Sequence, residues 1–234
     1  VANSINDQNT RAIEHFFSAP VSEYDSNIVT WLMLEHDRQD SFDLLIKQGF
    51  SHYLRALEQW REAPAEQRDT AAVLDAYATF QLLTGLRNGP WGAHALNRYV
   101  ADVLGVEADR WYEGRPVMVT KNDYGLRLNN GDIGVTFRMP ETGRLRVAFF
   151  DSHGKVKWVL PSRLNHVETV YVMTVHKSQG SEFAHTVLVT PQHDSPVLTK
   201  ELLYTGVTRA KKKLTLVVSK KSVFLNAVSK RINR

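Results

Sequence analysis

An α/β fold is predicted: a parallel sheet flanked by helices, interrupted by a small inserted antiparallel β-barrel. Three observations carry this. Nearly continuous apolar runs of strand length, "TVYVMTV" (169–175), "HTVLVTP" (185–191) and "LTLVVS" (214–219), alternate with helical stretches, the texture of parallel strands covered on both faces. Between Arg110 and Val167 short β-rich runs follow one another across hairpin-type turns. Strand–helix alternation resumes straight afterwards, so the β-rich stretch reads as an insertion. The expected parts are 1–109 with 168–234 for the parallel-sheet domain, and 110–167 for the barrel.

The elements follow in order. The N-terminal half reads as mostly helical. Phe42, Leu45, Ile46, Phe50, Tyr53, Leu54, Leu57 and Trp60 recur at three- and four-residue steps, the stripe of a helix packed on a core. Pro64 closes that helix, and Glu66 to Tyr77 predicts a second. "TFQLLTGL" (79–86) is a strand-length apolar run ending at Arg87 and the turn signal Asn88-Gly89-Pro90. A helix from about Gly92 to Leu104 places Leu96, Tyr99, Val100 and Val103 on one side.

The insertion then offers "PVMVT" (116–120), "IGVTFRM" (133–139), "RLRVAFF" (144–150) and "KVKWVL" (155–160), separated by "NNGD", "PETGR" and "DSHG". Four or five such strands describe a small antiparallel barrel. Beyond it, "VYVMTV" is expected as a central strand with "HKSQGSE" at its carboxyl edge, where parallel sheets place their ligands. A helix around Lys200–Ala210 and a final basic helix complete the pattern.

Composition bounds the function. A chain of 234 residues with 43% hydrophobic content can bury a real core. It has no cysteine, which excludes disulfides and thiolate metal sites and fits a reducing cytoplasm. No apolar run approaches the roughly 20 residues that span a bilayer. "VANSINDQNT" at the start has no signal-peptide layout and reads like a cut inside a longer protein. The net charge of +4 hides a gradient: residues 1–109 hold 8 Lys/Arg against 16 Asp/Glu, and 199–234 hold 10 against 1. The basic end suggests a polyanion-facing surface, the alternative being a solvated basic helix without a partner.

Two stretches can carry chemistry. From Thr174 to Glu182, hydroxyls, an imidazole, a cation and a carboxylate crowd around Gly180, whose missing Cβ permits positive φ or close approach of a ligand. Thr174 and His176 can donate to a phosphodiester, and Glu182 can accept from a sugar hydroxyl. The alternative is a strand-to-helix turn capped by Ser178 or Ser181. In "LLYTGVTRAKKKLTLVV" (202–218), Arg209 ends a helical stretch ahead of a strand. It suits a phosphate-reading finger, or an ordinary helix-end arginine on the dipole. No HExxH, GxSxG or GxxxxGK[ST] pattern occurs.

Together these stretches resemble a known family. "MTVHKSQGSEF" is similar to motif V of superfamily 1 helicases and "LLYTGVTRAKKKL" to motif VI. "FQLLTGLRNGPWGAHALN" (80–97) resembles motif IVa of the RecD branch. "RWYEGRPVMVTKNDYGLRLNNGDIGV" (110–135) resembles the start of that branch's inserted SH3-like domain. All four stand in RecD order from about residue 77 onwards, and the first 76 residues support the resemblance by position alone. The likeness is to the C-terminal part of the RecD family, the alpha subunits of exodeoxyribonuclease V. It implies a RecA-like helicase domain 2A with an SH3-like barrel, 2B, inserted.

The resemblance implies roles residue by residue. Arg209 becomes the arginine finger for the γ-phosphate of ATP; Gly180 and Glu182 face the nucleotide, Glu182 towards the ribose. Thr174 and His176 lie nearer single-stranded DNA, and Arg87 and Asn97 contact the DNA backbone or hold structure. Asn122, Asp123, Asn130, Gly131 and Asp132 match family positions, a pattern that turn chemistry also explains. ATP and Mg²⁺ are implied for the full-length protein, held mainly by an N-terminal motor domain absent from these residues; this chain alone is expected to carry no cofactor or metal and to be inactive. The implied activity is ATP-driven 5′→3′ DNA unwinding in double-strand-break repair and recombination. The implied partners are single-stranded DNA and the beta and gamma subunits, with no membrane. A non-catalytic module that binds nucleic acid or protein through the barrel and basic tail is the alternative, and the acidic helical half is a candidate surface for the gamma subunit.

Overall fold

The computed structural model describes residues 1–18, 29–34 and 39–230. Among the described residues ten strands and seven α-helices divide between two compact units, one of Val1–Ile46, Thr79–Leu96 and Val172–Arg234, the other of Lys47–Ala78 and Asn97–Tyr171. The segment 110–167 falls wholly in the second unit, which also takes in 47–78 and 97–109.

The first unit is built on a five-stranded parallel sheet. Its strands are β1 (Val29–Met33), β2 (Phe80–Thr84), β8 (Val172–Thr174), β9 (Phe183–Thr190) and β10 (Ala210–Val218), in the order β1-β10-β9-β2-β8. Leu82, Leu83, Val187, Val189, Leu216 and Val217 are buried within it, which is why these strands read as unbroken apolar runs. Helices α1 (Ala2–Asn6), α2 (Thr10–Ser18), α6 (Lys200–Val207) and α7 (Lys221–Ser229) flank the sheet. Phe17 of α2 makes edge contacts with Trp31 of β1 and Phe224 of α7, at 5.5 and 5.3 Å between ring centroids.

Two expectations are corrected here, and one strand is added. "VYVMTV" is not a central strand: only Val172–Thr174 pair, and β8 is an edge strand next to β2. The Val170 amide instead donates to the Pro116 carbonyl, so the run is shared between the two units. The N-terminal half also holds a strand, β1, whose five residues "VTWLM" are too few to show a period of their own. The final helix is not itself basic. Lys211, Lys212 and Lys213 lie in β10, α7 carries Lys221 alone, and Arg231 and Arg234 lie outside the described residues.

The second unit joins helices to an antiparallel sheet. The striped segment is α3 (Gln39–Glu62), which begins in the first unit and ends in the second. Helix α4 (Thr70–Tyr77) follows, its first turn capped by the Asp69 carboxylate accepting from the Ala72 amide at 3.0 Å. The third helix, α5 (Ala93–Val103), likewise runs across the division. Strands β3 (Pro116–Val119), β4 (Ile133–Arg138), β5 (Leu145–Phe150), β6 (Val156–Val159) and β7 (Val167–Thr169) pair antiparallel in the order β6-β5-β4-β3-β7.

Alternation sorts this sheet's faces. Val117, Val147, Phe149 and Val159 form one core with Leu126 and Leu128. Phe137 and Trp158 pack with Trp60 of α3, Phe137 lying 4.6 Å from it. Asn122, Asp123 and Asp132 serve the turns: their side-chain oxygens accept from the Asn130, Leu126 and Asn129 amides at 2.8, 2.9 and 2.7 Å. Gly131 beside them has φ +97°.

Candidate functional site

The loop 175–182 begins where β8 ends and finishes where β9 begins. These strands are parallel and both flank β2, so the loop must travel back along the sheet. Thr174 stands level with Thr84, which is also level with Val189; Phe183 opens β9 well upstream. At about 3.3 Å per residue, the loop covers roughly 20 Å between the two edges. The expectation that this loop sits at the carboxyl edge therefore holds for its first half only. No helix follows it, so the capped strand-to-helix turn is not formed.

The loop is fixed along its length. The Val175 amide donates to the Thr84 carbonyl at 2.9 Å, and the Lys177 amide to Thr174 Oγ1 at 3.3 Å. Ser178 is buried, its hydroxyl donating to the Val175 carbonyl at 2.8 Å. Gly180 has φ +85°, a conformation that L side chains rarely adopt, and it ends the series of turns.

At the carboxyl edge the structure gathers Thr174, His176 and Arg87. Arg87 is exposed in the loop after β2, with Nε donating to His94 Nε2 at 3.3 Å. His176 is exposed, while Thr174 is half-buried. Asn97 is buried on α5 within the second unit and is not assigned to this group.

At the amino edge it gathers Gly180, Glu182 and Arg209. Arg209 lies just past α6, and its carbonyl accepts from the Phe183 amide at 2.8 Å. Its guanidinium donates to the Ser181 carbonyl at 3.2 Å, the Thr205 carbonyl at 3.1 Å and Thr208 Oγ1 at 3.4 Å. A guanidinium has five N–H donors, so this half-buried fork is held by three of them and keeps two without a partner among the described residues. The hydrogen bond to Thr205 is also the helix-end contact expected of an ordinary arginine, so the two readings of Arg209 coexist. Glu182 pairs with Lys211 at 3.4 Å, both side chains more than half exposed, a contact worth little by itself.

A cavity of about 330 Å³ lies between the first half of the loop and the first turns of α6, lined in part by His176, Gln179, Glu201 and Thr205. Sequence reasoning passed over Glu201, although a signal existed: it is the single acidic residue in the basic stretch 199–234. The carbonyls of Ser181 and Thr205 were not foreseeable, since main-chain acceptors leave no trace in residue identity. Among the described residues no group of three or more His, Asp or Glu side chains is placed to hold a metal ion.

Residues 169–217, which hold this loop, α6 and most of β10, match the UvrD-like helicase C-terminal domain family. The RecBCD enzyme subunit RecD of Buchnera aphidicola (from Acyrthosiphon pisum) is 29% identical over 243 residues, covering 100% of this chain and 38% of the relative. That of Mycobacterium tuberculosis is 46% identical over 157 residues, 65% of this chain and 26% of the relative. The ATP-dependent RecD2 DNA helicase of Deinococcus radiodurans is 36% identical over 138 residues, 56% of this chain and 19% of the relative. The chain belongs to the RecD family and corresponds to the C-terminal part of its members. It spans well under half the length of these curated relatives.

Proposed function

We propose that this chain is the second motor domain of an ATP-dependent DNA helicase, the RecD-type subunit of exodeoxyribonuclease V. In this reading 1–109 and 168–234 make the RecA-like domain 2A and 110–167 the SH3-like domain 2B. The carrying observation is the loop 175–182, which leaves Thr174 at one edge of the sheet and reaches Arg209 at the other. One rigid segment thereby links a strand-gripping edge to a phosphate-reading edge.

ATP with Mg²⁺ supplies the free energy and is held mainly by a first motor domain outside this chain. The residues here fit a supporting role: Arg209 retains open donors, and Gly180 and Glu182 stand beside it. Arg209 places a fixed charge where the transferring phosphoryl group develops its own. Glu182 accepts from the ribose. Thr174, His176 and Arg87 hold the DNA backbone, with Asn97 in a supporting place, and grip is sequence-tolerant because it rests on phosphates. Coupling follows from rigidity, since a shift at Ser181 moves the segment that starts at Thr174. The companion beta and gamma subunits, 5′→3′ travel and a role in double-strand-break repair in the cytoplasm complete the reading.

The test is phosphate release from Mg²⁺-ATP with single-stranded DNA. It compares the 234-residue chain alone with a protein joining it to a RecD-type phosphate-loop domain. Turnover is expected only from the joined protein. Turnover by the chain alone that survives Arg209→Ala contradicts the proposal.

A further inference from the structure

The loop between β2 and α5 is wound tightly around its own backbone. Buried Thr84, the last residue of β2, donates through Oγ1 to the Trp91 carbonyl at 2.7 Å and accepts from the Leu86 amide at 3.3 Å. The Gly92 amide donates to the Gly89 carbonyl at 3.0 Å, and a Cβ on Gly92 would stand 2.5 Å from the Asn88 carbonyl carbon. Only glycine leaves room for that approach. The first two amides of α5, those of Ala93 and His94, donate back to the Leu86 and Arg87 carbonyls at 2.9 and 3.2 Å. Donors that a helix start leaves open are thereby spent on holding the loop.

Arg87 is thus anchored through its main chain. Its side chain is anchored as well, since Nε donates to His94 Nε2 at 3.3 Å. A guanidinium carries donors only, so the ring nitrogen is the acceptor. His94 therefore holds Arg87 twice, by amide to carbonyl and by ring to guanidinium. The contact uses Nε alone. The four N–H groups on the two terminal nitrogens have no partner among the described residues. They form the end of the fork, an edge that pairs bidentately with the oxygens of a phosphate. Both side chains are exposed. An exposed arginine left to itself samples many rotamers and must be ordered when it binds, at a cost in affinity. A ring that already accepts from Nε removes part of that cost.

We propose that His94 is a positioning residue: it aims the Arg87 guanidinium at a phosphate of the bound single strand and touches no DNA itself. This rests on the reading of Arg87 as a DNA contact. The reach of His94 into binding is then entirely through Arg87, and a double-mutant cycle exposes that dependence.

The experiment measures the affinity of the full-length protein for a dT12 oligonucleotide across a salt series, without ATP. Wild type is compared with Arg87→Ala, His94→Ala, the double variant, and His94→Gln, whose amide oxygen accepts from Nε in place of the ring. Arg87→Ala is expected to lose about tenfold in affinity. Its salt dependence is expected to flatten by the roughly 0.7 that one phosphate contributes on a single strand. His94→Ala is expected to lose about threefold, and His94→Gln to bind like wild type. The double variant is expected to bind no more weakly than Arg87→Ala, because nothing is left to aim. Losses that add in the double variant make His94 an independent contact, and glutamine binding as poorly as alanine makes the ring itself the contact; either result overturns the proposal. So does His94→Ala binding as tightly as wild type while Arg87→Ala is weakened. An Arg87→Ala variant with wild-type affinity and salt dependence overturns the DNA reading of Arg87, and the proposal with it.

Discussion

His185 in β9 sets its Nε2 2.9 Å from Thr215 Oγ1 of β10 and its ring 5.0 Å from that of Phe80. Burial first, and then the charge of Lys213, hold the imidazole pKa at about 4, below its ordinary 6.5. The folded chain therefore takes up this proton at lower pH than the unfolded chain. Stability from the neutral ring is fully present above about 6.5 and is lost as pH falls towards 4. His185→Gln keeps a polar partner for Thr215 but does not titrate. Urea unfolding from pH 7.5 down to about 4.5 is expected to show a steeper loss for wild type than for the variant, and parallel profiles contradict the assignment. His185 drew no attention as a site in the sequence, and rightly so, because its surroundings come from three strands far apart in the chain. Gly180 and Arg209, by contrast, were legible because local chemistry carries their meaning: a turn that needs positive φ and a cation just past a helix.

At the scale of elements, the inserted segment is gripped at both of its ends by α3 and α4. The Tyr53 hydroxyl of α3 donates to the Gly114 carbonyl at 2.7 Å, and that of Tyr77 in α4 donates to the Val170 carbonyl. The hydroxyls of Tyr112 and Tyr171 pair at 2.9 Å. Burial pushes the Tyr53 and Tyr171 phenols well above their ordinary range, so the cluster stays neutral. Gly114 has φ +82°, and a Cβ there stands 2.7 Å from Leu57 Cδ2. Gly114→Ala is thus expected to cost about 2–3 kcal/mol, combining left-handed strain with overpacking. Tyr53→Phe is expected to cost about 1 kcal/mol for the lost hydrogen bond. Urea midpoints measure both, and a Gly114→Ala chain as stable as wild type refutes the packing account. Helical stripes and hairpin turns made α3, α5 and β3 to β6 readable, since those signals are local. The edge position of β8 was not readable, because strand order depends on partners elsewhere and Val170 and Tyr171 are drawn into the second unit. The four tyrosines scattered over "YLRAL", "AYATF", "WYEGR" and "VYVMT" gave no sign of meeting.

The charge gradient announced a polyanion surface, yet the three consecutive lysines lie at the start of β10, beside Arg209 and the Glu182 contact. Arg209 and these lysines, four of the ten basic residues in 199–234, thus stand at the edge read as facing nucleotide phosphates. In the proposed function Arg209 reads those phosphates from the second motor domain. A fixed guanidinium stabilises the transition state more than the ground state, and comparable arginines contribute roughly 10³–10⁵ in rate. The most direct measurement is single-stranded-DNA-stimulated ATP hydrolysis, with nucleotide affinity alongside, in the full-length protein bearing Arg209→Ala or Arg209→Lys. Alanine is predicted to lower turnover by about 10³-fold or more while nucleotide affinity stays nearly unchanged, and lysine to rescue poorly because a point charge cannot reproduce the planar fork. An alanine variant that hydrolyses ATP near the wild-type rate would contradict it and reduce Arg209 to the helix-end arginine that its bond to Thr205 also describes.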